Sequence, residues 1–167
     1  DLVAKCPDGG PIIVLDSPTM NSVVDRTNGF LDAIEGKGFD IVAQQDAKGN
    51  LEVSMGIAED LLQAHSDVVA IFGGNDPTAL GALAAANAAG LTDCKIYGVD
   101  GSPDIKSELA SGESLIEGTG AQSPVSIAET SVDLMYKIMA GEEVDDRYPV
   151  ETFLINADNV NEYGTDG

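Results

Sequence analysis

Basic residues are scarce in this chain of 167 residues. Eight Lys and Arg stand against 29 Asp and Glu, which gives a net charge of -21. A protein that binds nucleic acid needs a basic surface to displace counterions, so nucleic acid is excluded as a partner. An anionic membrane surface is disfavoured as a partner for the same reason. We interpret the excess of acid as a means of keeping the protein soluble.

Residues that commonly carry catalysis or bind metals are also few. The chain has two cysteines and one histidine, which makes a metal cluster or a Cys/His catalytic pair a poor prediction. Ser-x-x-Lys, Gly-x-Ser-x-Gly and the phosphate-binding Gly-x-x-x-x-Gly-Lys-Ser/Thr motif do not occur. No apolar run approaches the roughly 20 residues needed to cross a bilayer. We therefore predict no catalytic residues, no metal site and no cofactor.

Short apolar strands alternate with helices in the first two thirds of the chain. The predicted strands cover residues 11–16, 40–44, 68–72, 95–99 and 114–119, and single amphipathic or alanine-rich helices lie between them. Strands separated by single helices pair in parallel, with helices on both faces of the sheet. The pattern predicts a doubly wound, mostly parallel α/β domain with the flavodoxin-like strand order 2-1-3-4-5. In that order strand three separates Cys6 from Cys94, so we predict two free thiols.

The last third of the chain has a different character. A long helix from Ser123 to Ala140 carries apolar residues on both sides. The acidic stretch 142–146 is typical of a solvated turn, residues 150–155 are predicted to be extended, and the tail from Ala157 is polar.

Polar side chains and glycines follow the predicted strands at their carboxyl ends, where an open parallel sheet binds its ligands. These segments are Asp16-Ser17, Gln45-Asp46, Gly73-Gly74-Asn75-Asp76, Asp100-Gly101-Ser102 and Gly120-Ala121-Gln122. Each residue taken singly can be a turn former or a helix cap, and we interpret Asp76 and Ser102 in that way. Turns do not require Asn, Asp and Gln at three successive strand ends. Asn75, Asp100 and Gln122 together therefore favour a ligand-binding site.

Arg26 lies early in a helix that begins at the same edge of the sheet. It is either a surface arginine paired with Asp25 or another nearby acid, or a planar guanidinium that faces a hydroxyl-rich ligand.

At these residues the sequence resembles the type I periplasmic binding proteins, in their ribose-binding-like branch. The matching stretches are Asp-Arg-Thr-Asn-Gly-Phe at 25–30, Asp-Leu-Leu-Gln-Ala-His-Ser-Asp at 60–67, Ile-Phe-Gly-Gly-Asn-Asp at 71–76, Ala-Leu-Gly-Ala at 79–82, Tyr-Gly-Val-Asp-Gly-Ser-Pro-Asp at 97–104, Ala-Gln-Ser-Pro at 121–124 and Tyr-Pro-Val at 148–150. The resemblance covers essentially the whole chain and implies most of the C-terminal lobe of a two-lobed protein. It implies that residues 1–122 form that lobe, that 123–147 are a hinge-crossing helix and turn of the N-terminal lobe, and that 148–167 are a return strand and tail.

The resemblance also implies a function. Such proteins capture a monosaccharide between two hinged lobes and serve the permease of an ABC-type transporter. They work outside the cytoplasm, in the periplasm or lipid-anchored at the cell surface. Arg26, Asn75, Asp100 and Gln122 match the family's sugar-contacting residues. The family often has an aromatic residue after the second strand, and Gly49 stands at that position here, so the resemblance implies no stacking residue on this lobe at that point.

Two other functions remain open from the sequence. One is the effector-binding core of a lactose-repressor-family regulator, which shares the fold, although the closing segment 159–164 resembles transporter proteins. The other is an enzyme on a flavodoxin-like sheet, which would need a glycine-rich loop after strand one. For the helix from Ser123 to Ala140 we expect a cover: a second copy of the chain, the N-terminal lobe, or this lobe itself if the helix folds back onto it.

Overall fold

A six-stranded sheet forms the centre of the molecule in a computed structural model that describes residues 1–164. The strands are β1 (Gly10–Asp16), β2 (Phe39–Asp46), β3 (Ala70–Gly73), β4 (Lys95–Asp100), β5 (Ile116–Ala121) and β6 (Phe153–Ile155). Their order in the sheet is β2-β1-β3-β4-β5-β6. The first five are parallel, and β6 runs antiparallel to β5. The predicted α/β class and strand order are confirmed.

Single helices connect the parallel strands. The helices are α1 (Leu2–Lys5), α2 (Asn21–Ile34), α3 (Leu51–Ala64), α4 (Asp76–Ala88), α5 (Pro103–Ser111), α6 (Pro124–Met139) and α7 (Val160–Tyr163). The small residues of α4 let it pack closely on its neighbour. A side chain at Gly81 would come within 2.3 Å of the backbone oxygen of Leu51, at the start of α3.

The core lies on both faces of the sheet, as a doubly wound fold requires. Ile13 and Leu15 of β1 point into the cluster formed with α3 and α4, whereas Ile12 and Val14 point into the cluster on the α2 side. All four side chains are fully buried because β1 is a central strand covered on both faces.

Two strands begin two residues later than the sequence pattern predicts. The predicted strand 68–72 is observed as Ala70–Gly73, and the predicted strand 114–119 as Ile116–Ala121. In the second case the hydroxyl of Ser114 accepts a hydrogen bond from the backbone N–H of Ile116, which makes a local turn ahead of the strand. Hydrophobicity alone does not distinguish such a lead-in from the strand itself.

Helix α6 stands apart from the rest of the chain, because none of its residues is buried. Its apolar side chains are exposed: Val125, Ile127, Val132, Met135, Tyr136, Ile138 and Met139. The expectation that this helix folds back over its own lobe is wrong. The face concerned carries an open apolar groove instead, lined by Leu2, Phe30, Phe72, Tyr97 and Leu154 among others.

The prediction that Cys6 and Cys94 do not form a disulfide is confirmed. Cys6 is partly buried and Cys94 is buried, and both are free thiols. Burial raises the pKa of the Cys94 thiol to about 12, which suits a residue that fills core space rather than one that reacts. Among residues 1–164, no helix has the length and apolar character needed to cross a membrane.

Candidate ligand-binding site

Three of the four predicted site residues meet at the carboxyl edge of the sheet. One carboxylate oxygen of Asp100, Oδ1, lies 3.0 Å from Nη2 of Arg26. The same oxygen accepts a hydrogen bond of 2.6 Å from the side-chain amide of Gln122. Both partners contact the same oxygen of the carboxylate. Two hydrogen-bond donors and one charged acceptor therefore lie side by side at this edge of the sheet. We refer to Arg26, Asp100 and Gln122 as the polar triad.

The fold explains why these residues meet. Arg26 lies in α2, directly after the first strand, while Asp100 ends β4 and Gln122 follows β5. Asp100 pairs in register with Ala121, so Gln122 emerges beside it. Arg26 pairs with Asp100, an acid on another element, so the ion pair itself forms part of the predicted site.

Arg26 also connects the polar triad to the neighbouring turn. Its Nη1 donates a hydrogen bond of 3.0 Å to the backbone oxygen of Gly74. The side chains of Arg26 and Asp100 are 20% and 32% exposed, so a ligand could reach both. A cleft beside the triad has an apolar floor that includes Phe72 and Val99. Polar groups above an apolar floor suit a ligand that has hydroxyls on its rim and C–H groups on its faces.

Asn75, the fourth predicted residue, lies on the adjacent turn, and its side-chain hydrogen bonds go to the backbone there. Its Oδ1 accepts a hydrogen bond from the backbone N–H of Thr78, which makes it the N-cap of α4. Its Nδ2 donates to the backbone oxygen of Gly49 at 3.2 Å. The side chain therefore ties the turn after β2 to the turn after β3.

The turn after β2 explains why residue 49 is a glycine. Gly49 has a φ of +63°, and a side chain there would come within 3.0 Å of Nδ2 of Asn75 and 2.9 Å of Cε of Met20. An aromatic side chain at this position would strain the backbone and displace Asn75. The backbone at Gly49 therefore requires a glycine beside Asn75.

Asp76 is a residue whose role the sequence pattern did not foresee. We interpreted it as a helix cap, but Asn75 is the cap and Asp76 is the first residue of α4, with 0% exposure. Its Oδ2 accepts from the backbone N–H of Ser102, and its Oδ1 accepts from the hydroxyl of Thr119, both at 2.7 Å. Ser102 is at the N-cap position of α5 as predicted, but its side chain makes no capping hydrogen bond.

The error has a physical cause. Whether Asn75 or Asp76 caps the helix depends on a one-residue difference in where α4 begins, and sequence patterns do not locate helix ends that finely. One signal was available in β4, where Gly98 interrupts an otherwise apolar strand. A side chain at Gly98 would come within 2.5 Å of Oδ1 of Asp76, so this glycine makes room for the carboxylate.

Burial raises the pKa of Asp76 above its ordinary value, and the hydrogen bonds from Ser102 and Thr119 offset part of that effect. Within residues 1–164, no group of three or more His, Cys, Asp or Glu side chains is arranged to hold a metal ion. The charged groups of the polar triad are hydrogen-bonded to one another.

Comparison with known proteins places this geometry in a family. Residues 1–143 match the family model described as the periplasmic binding protein domain. The chain belongs to this family. The ribose import binding protein of Salmonella typhimurium is 34% identical over 155 residues, which is 92% of this chain and 52% of the relative. The chain thus spans about half the length of the curated relatives it matches.

Solved structures agree in fold. An ABC transporter periplasmic solute binding protein from Actinobacillus succinogenes superposes with a TM-score of 0.90 at 24% identity, over 97% of this chain and 58% of that one. The myo-inositol binding protein of Caulobacter has a TM-score of 0.85 at 28% identity, over 96% and 56%. These relatives are binding proteins by name. The regulator alternative is not favoured, because the names of the relatives refer to import and to solute binding.

Proposed function

We propose that the intact protein captures a neutral monosaccharide or a similar polyol and hands it, unchanged, to the permease of an ABC-type importer. The observation that carries the proposal is the polar triad. Arg26, Asp100 and Gln122 offer a charged acceptor flanked by donors at the one edge of the sheet where ligands bind. Asn75 lies on the adjacent turn, where it bonds to Gly49, and adds a fourth polar side chain to this edge. The names of the relatives, which refer to ribose import and myo-inositol binding, support this ligand class.

The arrangement fits binding better than catalysis. A sugar hydroxyl both donates and accepts, so it can donate to the free oxygen of Asp100 and accept from Arg26 or Gln122. Charge-assisted hydrogen bonds of this kind are about twice as strong as neutral ones. We also propose that the protein works outside the cytoplasm, either in the periplasm or held at the surface by a lipid.

The exposed helix supports a division of the chain between two lobes. We propose that residues 1–122 and 148–167 belong to one lobe and that 123–147 cross to the other. The sheet of the first lobe resumes at β6, which pairs with β5, while α6 between them buries none of its residues. An N-terminal lobe packed on α6 would cover its apolar face and close the ligand site.

Isothermal titration of the intact protein with D-ribose, myo-inositol and a panel of other pentoses and hexoses tests the proposal. We expect one of these to bind at a single site and to be recovered unchanged. Asp100→Ala should weaken that binding about tenfold to a hundredfold, since a charge-assisted hydrogen bond is worth roughly 1.5–3 kcal/mol. Asp104→Ala is the matched control, because it removes an exposed acid a short distance along the chain.

Two results would contradict the proposal. Equal affinity of the parent and Asp100→Ala for the bound sugar would show that the polar triad is not part of the binding site. Chemical conversion of the sugar by the purified protein would replace a binding function with an enzymatic one.

A further inference from the structure

The backbone at Asp100 has an unusual conformation. Asp100 has a φ of +144° and the next residue, Gly101, a φ of +77°. Glycine adopts such angles freely, but a residue with a side chain pays roughly 1–3 kcal/mol. Asp100 therefore keeps this conformation only if its surroundings hold it there. In this conformation the carboxylate faces Arg26 and Gln122.

Two side chains outside the polar triad hold the peptide units that follow Asp100. The backbone N–H of Gly101 donates to the hydroxyl of Thr119 at 3.1 Å, and the backbone N–H of Ser102 donates to the carboxylate of Asp76. Thr119 and Asp76 are hydrogen-bonded to each other, and both have 0% exposure. Two fully buried side chains whose oxygens are all engaged in hydrogen bonds have little freedom to rearrange.

The same pair connects the elements that carry the site residues. Asp76 is the neighbour of Asn75, and Thr119 lies on β5, which leads into Gln122. A shift of the Asp76 or Thr119 side chain would move the turn that bears Asp100 relative to Asn75 and Gln122.

We propose that Asp76 and Thr119 are positioning residues that hold Asp100 in the conformation needed for ligand binding. This inference rests on the proposed function, because it assigns these residues an effect on affinity that acts through Asp100. Without the hydroxyl of Thr119, the N–H of Gly101 loses its acceptor and Asp76 loses a donor. Asp100 is then free to relax to an ordinary backbone conformation, and its carboxylate turns away from Arg26.

The first measurement needs no ligand. In the intact, sugar-free protein, Thr119→Val removes the hydroxyl at nearly constant volume. We expect hydrogen exchange at the amides of Gly101 and Ser102 to become at least tenfold faster and the carboxylate carbon resonance of Asp100 to move. Thr27→Val is the matched control, because the hydroxyl of Thr27 is buried and has no hydrogen-bond partner among the described residues. If Thr119→Val does not fold, Thr119→Ala removes the same hydroxyl without adding bulk.

The second measurement uses D-ribose, or whichever sugar of the panel binds the parent. We expect Thr119→Val to weaken binding about tenfold and Thr119→Ser, which keeps the hydroxyl, to restore it. Adding Thr119→Val to Asp100→Ala should cause no further loss, because the two changes act through the same carboxylate. A general loss of structure would instead add its effect in both backgrounds.

The outcomes separate the two ideas. If no sugar binds the parent, the proposed function fails, while the exchange and carbon measurements still decide whether the hydroxyl of Thr119 holds the backbone at Asp100. Unchanged exchange at Gly101 and Ser102 in a folded Thr119→Val protein overturns the inference. So does an equal loss of affinity from Thr119→Val with and without Asp100.

Discussion

Asp76 is a carboxylate enclosed by the protein, and its raised pKa affects the stability of the fold. A carboxyl whose pKa is higher in the folded state holds its proton more tightly there than in the unfolded chain. The folded state therefore loses stability as pH rises from about 4, the ordinary range of an aspartate, through the folded pKa. Above that range the buried charge continues to cost free energy.

Asp76→Asn tests this effect, because an amide does not titrate. We expect the variant to become more stable relative to the parent as pH rises from 4 to 7. The quantity compared is the free energy of unfolding. Urea denaturation at several pH values gives the difference, and other acids cancel because both proteins contain them. A difference that is constant with pH would show that Asp76 has the same pKa in both states.

Individual residues also show how far sequence reasoning reaches. The meeting of Asp100 and Gln122 was predictable because parallel strands bring their carboxyl ends to one edge, whatever the details of the loops. For Arg26, which lies in a helix, the sequence left two interpretations open. The conformation of Asp100 and the buried position of Asp76 were not predictable. They depend on which of two adjacent polar residues begins a helix and on a hydrogen bond to Thr119, which is distant in sequence.

At the scale of a single element, β4 depends on the glycine in its middle. Gly98 lies against Asp76, and a methyl group there would also come within 2.9 Å of Ile105. We expect Gly98→Ala to lower the free energy of unfolding by about 1–3 kcal/mol, the usual cost of overpacking.

Gly120→Ala in the neighbouring strand β5 is the control for this prediction. An added methyl group there would meet only ordinary contacts, at 3.6 Å from Val99. Urea denaturation of the three proteins gives the comparison, and equal stability of the two variants would contradict the role assigned to Gly98.

The exposed apolar side chains of helix α6 lead us to expect that the chain associates with itself. Its exposed side chains include Met139 at 75% and Val125 at 69%. Removing one large apolar side chain from water is worth roughly 1.5–3 kcal/mol, so several exposed together favour association. We expect residues 1–167, produced alone, to self-associate at low micromolar concentration in light scattering.

Substitutions on the same helix provide the control. Val132→Gln, Met135→Gln and Met139→Gln together keep good helix formers while removing much of the apolar surface. We expect this variant to be monomeric. A parent chain that is itself monomeric would show that α6 tolerates exposure and would weaken the proposal that another lobe covers it.

At the scale of the whole molecule, the net charge of -21 makes the stability of the fold depend on salt concentration. Like charges repel one another more in the compact folded state than in the expanded chain, and salt screens this repulsion. We expect Tm to rise when NaCl is increased from about 10 mM to about 300 mM. A gain of 1 kcal/mol corresponds to roughly 2–4 °C for a domain of this size.

KCl at the same ionic strength is the control for specific ion effects, and it should give the same increase. An unchanged or lower Tm would show that the acidic side chains are far enough apart for their repulsion to be negligible. Calorimetry measures both.

The pairing of β6 with β5 has a consequence for how the chain is made. Residues 122–152 lie between these two neighbouring strands. Ribosomes add about 5–20 residues per second, so β5 waits roughly 2–6 s for its partner to be synthesised. During that interval its open edge can pair with another strand, including one from a second nascent chain. Slow codons between residues 122 and 152 would lengthen this interval, whereas the same codons after residue 155 would not.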